Sequence, residues 1–156
     1  MGGTEPTYVA QAFQDNWIAP AGPHIDLFEN RLVDFLDEKS QVVALNSGTA
    51  AIHLGLQLLG VQKGDVVLCQ SLTFIASINP VLYLGATPVF IGSEKETWNL
   101  CPIALEEAIL NQLNKGIQPK AIVLVHLYGM PAKMNEISVI SKKYNIPILE
   151  DAAEAL

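Results

Sequence analysis

Basic residues are scarce in this sequence, and no stretch of it concentrates them. Nine Lys and Arg stand against sixteen Asp and Glu among the 156 residues, which gives a formal net charge of −7. Nucleic-acid binding depends on clustered Lys and Arg, and the densest basic spot is the pair Lys142 and Lys143. The composition therefore argues against a nucleic-acid partner.

Cysteines and long apolar runs are also scarce. Cys69 and Cys101 lie far apart and outside any CxxC pattern, so they are interpreted as incidental thiols of a reduced, cytoplasmic protein. No apolar run approaches the roughly 20 residues of a membrane helix, and residues 1–6 show no signal-peptide pattern. The histidines have no metal-ligand spacing. We therefore expect a cytoplasmic protein without membrane contact or a metal site.

Apolar residues are abundant and occur in short runs. Half of the chain is hydrophobic and only 16% is charged. After about residue 40, apolar runs alternate with segments of helical periodicity. The predicted strands are 41–46, 66–70, 87–91, 120–125 and 146–150, and the predicted helices are 25–37, 48–59, 73–84, 102–115 and 133–144. This pattern predicts an α/β fold with three layers, α/β/α, around a mostly parallel sheet. We expect an N-terminal arm and helix over 1–40 and the sheet domain over 41–156.

Ligands of open α/β sheets bind beyond the carboxyl ends of the strands, so the residues that follow each strand matter most. The segment 47–51 (SGTAA) lies between a predicted strand and a predicted helix. There, a glycine at the helix start could bring backbone N–H groups close to a phosphate. The alternative is that Ser47 only caps the helix and the small residues only permit packing.

Two other segments occupy equivalent positions. Asp151 directly follows an apolar strand, where its carboxylate could point into the ligand crevice, although it could equally cap a following helix. Phe74 follows another strand and could stack on a flat ring, although packing in the core is the alternative. His126 also follows a strand, and we interpret it as a core or supporting residue.

In this order, the segments resemble the DegT/StrS family of nucleotide-sugar aminotransferases, which use pyridoxal 5'-phosphate (PLP) on the aspartate-aminotransferase fold (fold type I). The resemblance extends from about Tyr8 to the last residue. It rests on the segments 16–20 (NWIAP), 22–23 (GP), 46–54 (NSGTAAIHL), 64–65 (GD), 73–74 (TF), 79–80 (NP), 85–90 (GATPVF), 126–132 (HLYGMPA) and 150–156 (EDAAEAL). It implies an incomplete PLP-binding large domain over 41–156, with the C-terminal small domain absent.

The resemblance also implies a set of cofactor-binding residues. These are Gly48, Thr49, Ala50, Phe74, Asp151 and Glu154. In the family, the first three positions hold the PLP phosphate, the aromatic stacks on the pyridine ring, and the aspartate pairs with the ring nitrogen. The position of the glutamate lies beside the cofactor.

The loop 16–20 most resembles the branch of the family that aminates C4 of a UDP-linked 4-keto-6-deoxy-N-acetylhexosamine. Glutamate is the usual amine donor in that branch, and the family forms homodimers. Trp17 and its neighbours would then lie near the sugar nucleotide. The alternative is that Trp17 packs an N-terminal arm.

The catalytic residue that the resemblance requires is a Schiff-base lysine. None of the eight lysines of this sequence lies in the family's lysine context, so we expect that residue beyond Leu156 and expect the fragment alone to be inactive. Some relatives have a histidine there and dehydrate deoxysugars instead. A PLP-dependent dehydratase therefore stays open as an alternative, as does a non-catalytic fragment or regulatory module.

Overall fold

The structure, a computed structural model, describes residues 2–36 and 39–155. It divides into two compact units: the first unit extends to Leu45, and the second unit begins at Asn46. The sequence-based boundary lies at residue 40, a few residues earlier. Among the described residues, no helix combines the length and the apolar character needed to cross a membrane.

The first unit contains two helices, α1 (Glu5–Gln14) and α2 (Pro23–Leu36). The sequence predicts α2 but not α1, although α1 has the signals of a helix start, with an acidic residue and Pro6 in its first turn. The rings of Tyr8 and His24 meet edge to face with their centroids 5.4 Å apart. Neither helix has a buried residue among its described positions.

The strand predicted over 41–46 is wrong. Residues 41–45 form neither helix nor strand, and the N–H of Ala44 donates to the Glu29 carboxylate of α2 at 2.7 Å. A strand needs a neighbouring strand to pair its N–H and C=O groups. Within the described residues, the strand ladders pair other segments only, and Val43 and Leu45 remain exposed.

The second unit is built on a parallel sheet with the order β2-β1-β3-β4. The strands are β1 (Val66–Gln70), β2 (Thr87–Ile91), β3 (Ala121–Val125) and β4 (Ile148–Asp151). Every residue of the two central strands, β1 and β3, is buried, which is why their sequences are apolar without alternation except for Gln70 at the end of β1. The predicted parallel sheet is confirmed.

Helices cover both faces of this sheet. They are α3 (Gly48–Leu58), α4 (Asn79–Tyr83), α5 (Pro102–Leu113) and α6 (Met134–Tyr144). On one face, Ile52 of α3 and Val81 of α4 pack with Val67. On the other face, residues of α5 and α6 pack with Leu68 and Ile122. The predicted α/β/α layering is therefore confirmed.

The helix predicted over 73–84, with a turn or kink near Pro80, is interrupted. A 3-10 turn (Ile75–Ser77) is followed by the short helix α4, with Pro80 in its first turn. Proline lacks an N–H and is tolerated at a helix start but not in its interior. The interruption places the segment 73–77 beyond the carboxyl end of β1, beside the site described below.

Two features of the sheet position that site. The chain leaves β1 toward β2 on one side, and β3 lies on the other side, so the strand order switches between β1 and β3. Helix α3 also approaches β4 closely. A Cβ added at Gly55 would lie only 2.8 Å from Cδ1 of Leu149. Any larger residue at this position would require Leu149 to shift, so the glycine favours this close packing of α3 on β4.

Candidate functional site

A cavity of about 540 Å³ lies at the carboxyl ends of β1, β3 and β4. The start of α3, the segments that follow β1 and β3, and the end of β4 all contribute to its wall. Five of the six predicted cofactor-binding residues line it: Gly48, Thr49, Phe74, Asp151 and Glu154. The fold thus brings together residues that are far apart in sequence, at the switch in strand order where α/β proteins bind ligands.

The start of α3 offers unpaired N–H groups. Ser47 caps the helix, since its Oγ accepts the N–H of Ala50 at 3.2 Å and its carbonyl accepts the N–H of Ala51 at 3.0 Å. The N–H groups of Gly48 and Thr49 have no acceptor within the helix, and none among the other described residues. With the positive end of the helix dipole, they can hold a phosphate.

Two details qualify this phosphate cradle. A Cβ added at Gly48 would meet no atom within 4 Å, so protein packing alone does not demand a glycine there. Ala50 does not line the cavity, and its N–H already donates to Ser47. The role of Ala50 in binding the phosphate therefore remains a prediction.

Phe74 lines the cavity. The residue is 78% exposed and lies just before the 3-10 turn, with an extended backbone. The alternative that it packs in the core is therefore wrong. An exposed aromatic face on a cavity wall can stack on a flat heterocycle.

Asp151 is the last residue of β4, and its carboxylate is held from two sides. Its Oδ2 accepts the hydroxyl of Ser77 at 2.6 Å, and its Oδ1 accepts the N–H of Ala153 at 3.2 Å. A turn follows over the described residues 152–155, so Asp151 caps no helix there. A carboxylate has about four acceptor positions, and this one retains capacity for a ligand.

His126 lines the cavity but has both ring nitrogens engaged by the protein. Its Nδ1 accepts the N–H of Ala132 at 3.1 Å, so the ring proton lies on Nε2, which is 3.2 Å from Oε2 of Glu150. The residue is buried, in agreement with the supporting role predicted from the sequence. No group of metal-ligating side chains occurs in the described part of the chain.

A fully buried amide that was not predicted from the sequence, Gln70, lies at the end of β1. Its Oε1 accepts the N–H groups of Leu100 and Val125, at 3.1 and 3.4 Å, and its Nε2 donates to the carbonyl of Leu72 at 2.9 Å. These bonds tie the segment after β1 to the end of β3. A polar residue closing the apolar run VVLCQ was the available signal.

A second missed amide, Asn99, holds the segment after β3. Its Oδ1 accepts the N–H of Leu127 at 2.9 Å, and its Nδ2 donates to the carbonyl of Met130 at 2.7 Å. Between them, Gly129 has a φ of 80°, and a Cβ added there would lie 2.7 Å from the carbonyl oxygen of Glu154. The glycine therefore lets the segments after β3 and β4 meet at the cavity wall.

Trp17 belongs to the first unit and is about half exposed. A Cβ added at Gly22 would lie 3.0 Å from the Trp17 ring, so a glycine is needed for this loop to fold as it does. The contact of Trp17 with a sugar nucleotide remains a prediction.

Comparison with known proteins identifies the family. A profile described as the DegT/DnrJ/EryC1/StrS aminotransferase family matches residues 1–156. The chain belongs to this family. It is 51% identical over 156 residues to EpsN of Bacillus subtilis, which is named as a pyridoxal phosphate-dependent aminotransferase. It is 39% identical over 153 residues to a GDP-perosamine synthase of Escherichia coli O157:H7.

These two alignments cover 100% and 98% of this chain but 40% of each relative, so the DegT-family segment here spans about two fifths of their length. Solved structures agree. An aminotransferase from Psychrobacter cryohalolentis matches with a TM-score of 0.89 and 33% identity over 100% of this chain and 38% of its own. A family aminotransferase from Brucella abortus matches with a TM-score of 0.90 and 31% identity over 96% of this chain and 40% of its own.

Proposed function

We propose that this chain provides the cofactor-binding part of a PLP-dependent aminotransferase that acts on a nucleotide-linked 4-keto sugar. One observation carries the proposal: a single cavity presents two unpaired N–H groups, an exposed aromatic ring and a carboxylate. PLP has three matching parts, which are a phosphate, a flat ring and a basic ring nitrogen. Related structures support this cofactor, including one from Bacillus subtilis described with bound pyridoxamine phosphate, which is 35% identical over 87% of this chain.

The residues present fit each part of the cofactor. The N–H groups of Gly48 and Thr49 would hold the phosphate at the start of α3. Phe74 would stack on the ring, and Glu154 would lie beside it. Asp151 would accept a hydrogen bond from the protonated ring nitrogen, and such charge-assisted bonds are stronger than neutral ones.

Bound PLP would supply an electron sink for proton transfer at the carbon that carries the amine. The contribution of Asp151 is to keep a proton on the ring nitrogen. Its carboxylate is prepared for this by donors on both oxygens, Ser77 and Ala153, so little reorganisation is needed when the ring arrives.

The proposed substrate is a UDP-linked 4-keto-6-deoxy-N-acetylhexosamine, with glutamate as the amine donor and a homodimer as the working assembly. The resemblance of the loop 16–20, with Trp17, supports this branch. The relatives named GDP-perosamine synthase support a sugar nucleotide more generally. The turnover test therefore includes both UDP- and GDP-linked sugars.

The first test measures cofactor binding by the 156-residue chain. Pyridoxamine 5'-phosphate (PMP) is the suitable probe, because it binds without a covalent bond to lysine. Titration calorimetry should show saturable binding, weakened about tenfold by Asp151→Asn through loss of one charge-assisted hydrogen bond. Asp65→Asn is the matched control. Asp65 directly precedes β1, so it lies at the amino end of that strand, away from the cavity at the carboxyl ends.

Two results would contradict the cofactor assignment. One is the absence of PMP binding by the unchanged chain. The other is an equal loss of affinity in the Asp151 and Asp65 variants, which would indicate a general effect on folding.

The second test addresses turnover. None of the lysines of the described residues lines the cavity, so we expect the 156-residue chain alone not to transfer an amine. Glutamate, PLP and either a UDP- or a GDP-linked 4-keto sugar would be incubated with the chain, and the products analysed by mass spectrometry. Formation of an amino sugar would refute this expectation, and a deoxygenated product would favour a dehydratase.

A further inference from the structure

We infer that Ser77 is a positioning residue: its hydroxyl, supported by that of Thr73, orients the Asp151 carboxylate toward the ring nitrogen of the cofactor. This inference rests on the proposed function. Ser77 lies in the 3-10 turn after β1 and Asp151 at the end of β4, so the contact exists only in the folded protein.

The geometry specifies the direction of the hydrogen bonds. Ser77 Oγ lies 2.6 Å from Asp151 Oδ2, and Thr73 Oγ1 lies 3.0 Å from Ser77 Oγ. An ionised carboxylate only accepts hydrogen bonds, so Ser77 donates to Asp151 and Thr73 donates to Ser77. The two hydroxyls thus form a chain of donors that ends on the carboxylate, and each bond polarises the next.

Burial of Ser77 favours these two hydrogen bonds over hydrogen bonds to water. Ser77 is 1% exposed, so its hydroxyl has little access to water, and it bonds to the aspartate that lines the cavity. A donor on Oδ2 and the Ala153 N–H on Oδ1 restrict rotation of the carboxylate about its terminal bond. The free lone pairs are thereby held in one orientation before a ligand binds.

The same turn also links two parts of the proposed site. The N–H of Ser77 donates to the carbonyl of Phe74 at 3.0 Å, so the aromatic side chain and the serine hydroxyl are fixed by one short backbone segment. A shift of the turn would therefore move the stacking ring and the support of Asp151 together.

The test separates an effect on the ring nitrogen from a general effect on the site. The 156-residue chain would be titrated with PMP and with its 1-deaza analogue, in which C–H replaces the ring nitrogen. The unchanged chain should prefer PMP. Ser77→Ala should reduce that preference by less than the roughly tenfold loss expected for Asp151→Asn, because the carboxylate remains and only its support is lost.

Three variants serve as controls. Ser93→Ala removes a buried hydroxyl that has no hydrogen-bond partner among the described residues, and it should leave the preference unchanged. Ser77→Thr retains the hydroxyl and should retain the preference. Thr73→Val, which removes only the second donor, should reduce the preference about twofold and provides the test if Ser77→Ala does not fold.

The outcomes distinguish this inference from the proposed function. If folded Ser77→Ala retains the full preference for PMP, the positioning role is refuted while the proposed function stands. If Ser77→Ala does not fold, the same conclusion follows from an unchanged preference in Thr73→Val. Equal losses in Ser77→Ala and Ser77→Thr would overturn it as well, since packing and not the hydroxyl would then matter. Equal binding of PMP and its analogue by the unchanged chain would refute the role of Asp151 itself.

Discussion

The two units of this protein contain similar kinds of apolar residues but bury them very differently. Every buried hydrophobic side chain of the described residues lies in the second unit, where both faces of the sheet are covered. In the first unit, Phe13 and Phe35 are 70% and 65% exposed, and no described residue is buried. Apolar composition alone therefore does not produce a core.

The difference lies in what the helices can pack against. Helices α3 to α6 lie on a four-stranded sheet whose central strands present apolar side chains to both faces. Helices α1 and α2, of 10 and 14 residues, form a unit without a sheet. Too few residues are present there to enclose a separate core, because the buried fraction falls steeply in small units.

The largest expected effect tests this contrast directly with one substitution in each unit. Leu68→Ala removes a fully buried side chain of β1 and should reduce the free energy of unfolding by about 2–5 kcal/mol. Leu27→Ala changes a side chain of α2 that is 43% exposed and should cost less than about 1 kcal/mol. Urea unfolding followed by circular dichroism measures both, and similar losses would show that the first unit has a core of its own.

A smaller effect is expected where the second unit is packed most tightly. Gly55→Ala places a methyl group 2.8 Å from Leu149, and overpacking should cost about 1–3 kcal/mol despite the better helix propensity of alanine. Gly2→Ala is the counterpart in the first unit, where the nearest atom would be 3.7 Å away. Melting temperatures would compare the two, and a stabilised Gly55 variant would show that α3 can move away from β4.

The smallest effect concerns acid stability. The Thr97 hydroxyl, helped by nearby backbone N–H groups and Lys133, lowers the pKa of Glu94 from 4.5 to about 2. A carboxylate with a lowered pKa contributes stability that is present above its unfolded pKa and is lost as the pH falls through its folded pKa. The urea midpoint of the second unit should therefore decline between about pH 5 and pH 2.

Glu94→Gln provides the control for this acid effect. It should lower the urea midpoint at neutral pH and flatten the decline on acidification, because the amide does not titrate. A variant with the same pH dependence as the unchanged protein would show that other carboxylates govern acid unfolding. The pKa of Glu5 in the first unit is also lowered, chiefly by hydrogen bonding to its own backbone N–H, so acid should weaken the start of α1 as well.

Sequence reasoning succeeded where the signal was local and repeated. The apolar runs of β1 and β3 predicted buried parallel strands, and the segments after them contain Phe74 and His126, which line the cavity. It failed over 41–46, because an apolar run becomes a strand only if a neighbour is available to pair with it. It also overlooked the support of Asp151, since the hydroxyl of Ser77 comes from a position 74 residues away.

The α/β alternation, the lack of basic clusters and the family membership can all be read from the amino-acid sequence. These follow from periodicity, composition and motif order, which are properties of neighbouring residues. It took the folded structure to show that Phe74 is exposed, that the N–H of Ala50 donates to Ser47, and that the Ser77 hydroxyl, itself bonded to that of Thr73, donates to Asp151. The physical reason is that parallel strands bring distant chain segments to one edge of the sheet, and the sequence does not state which side chains meet there.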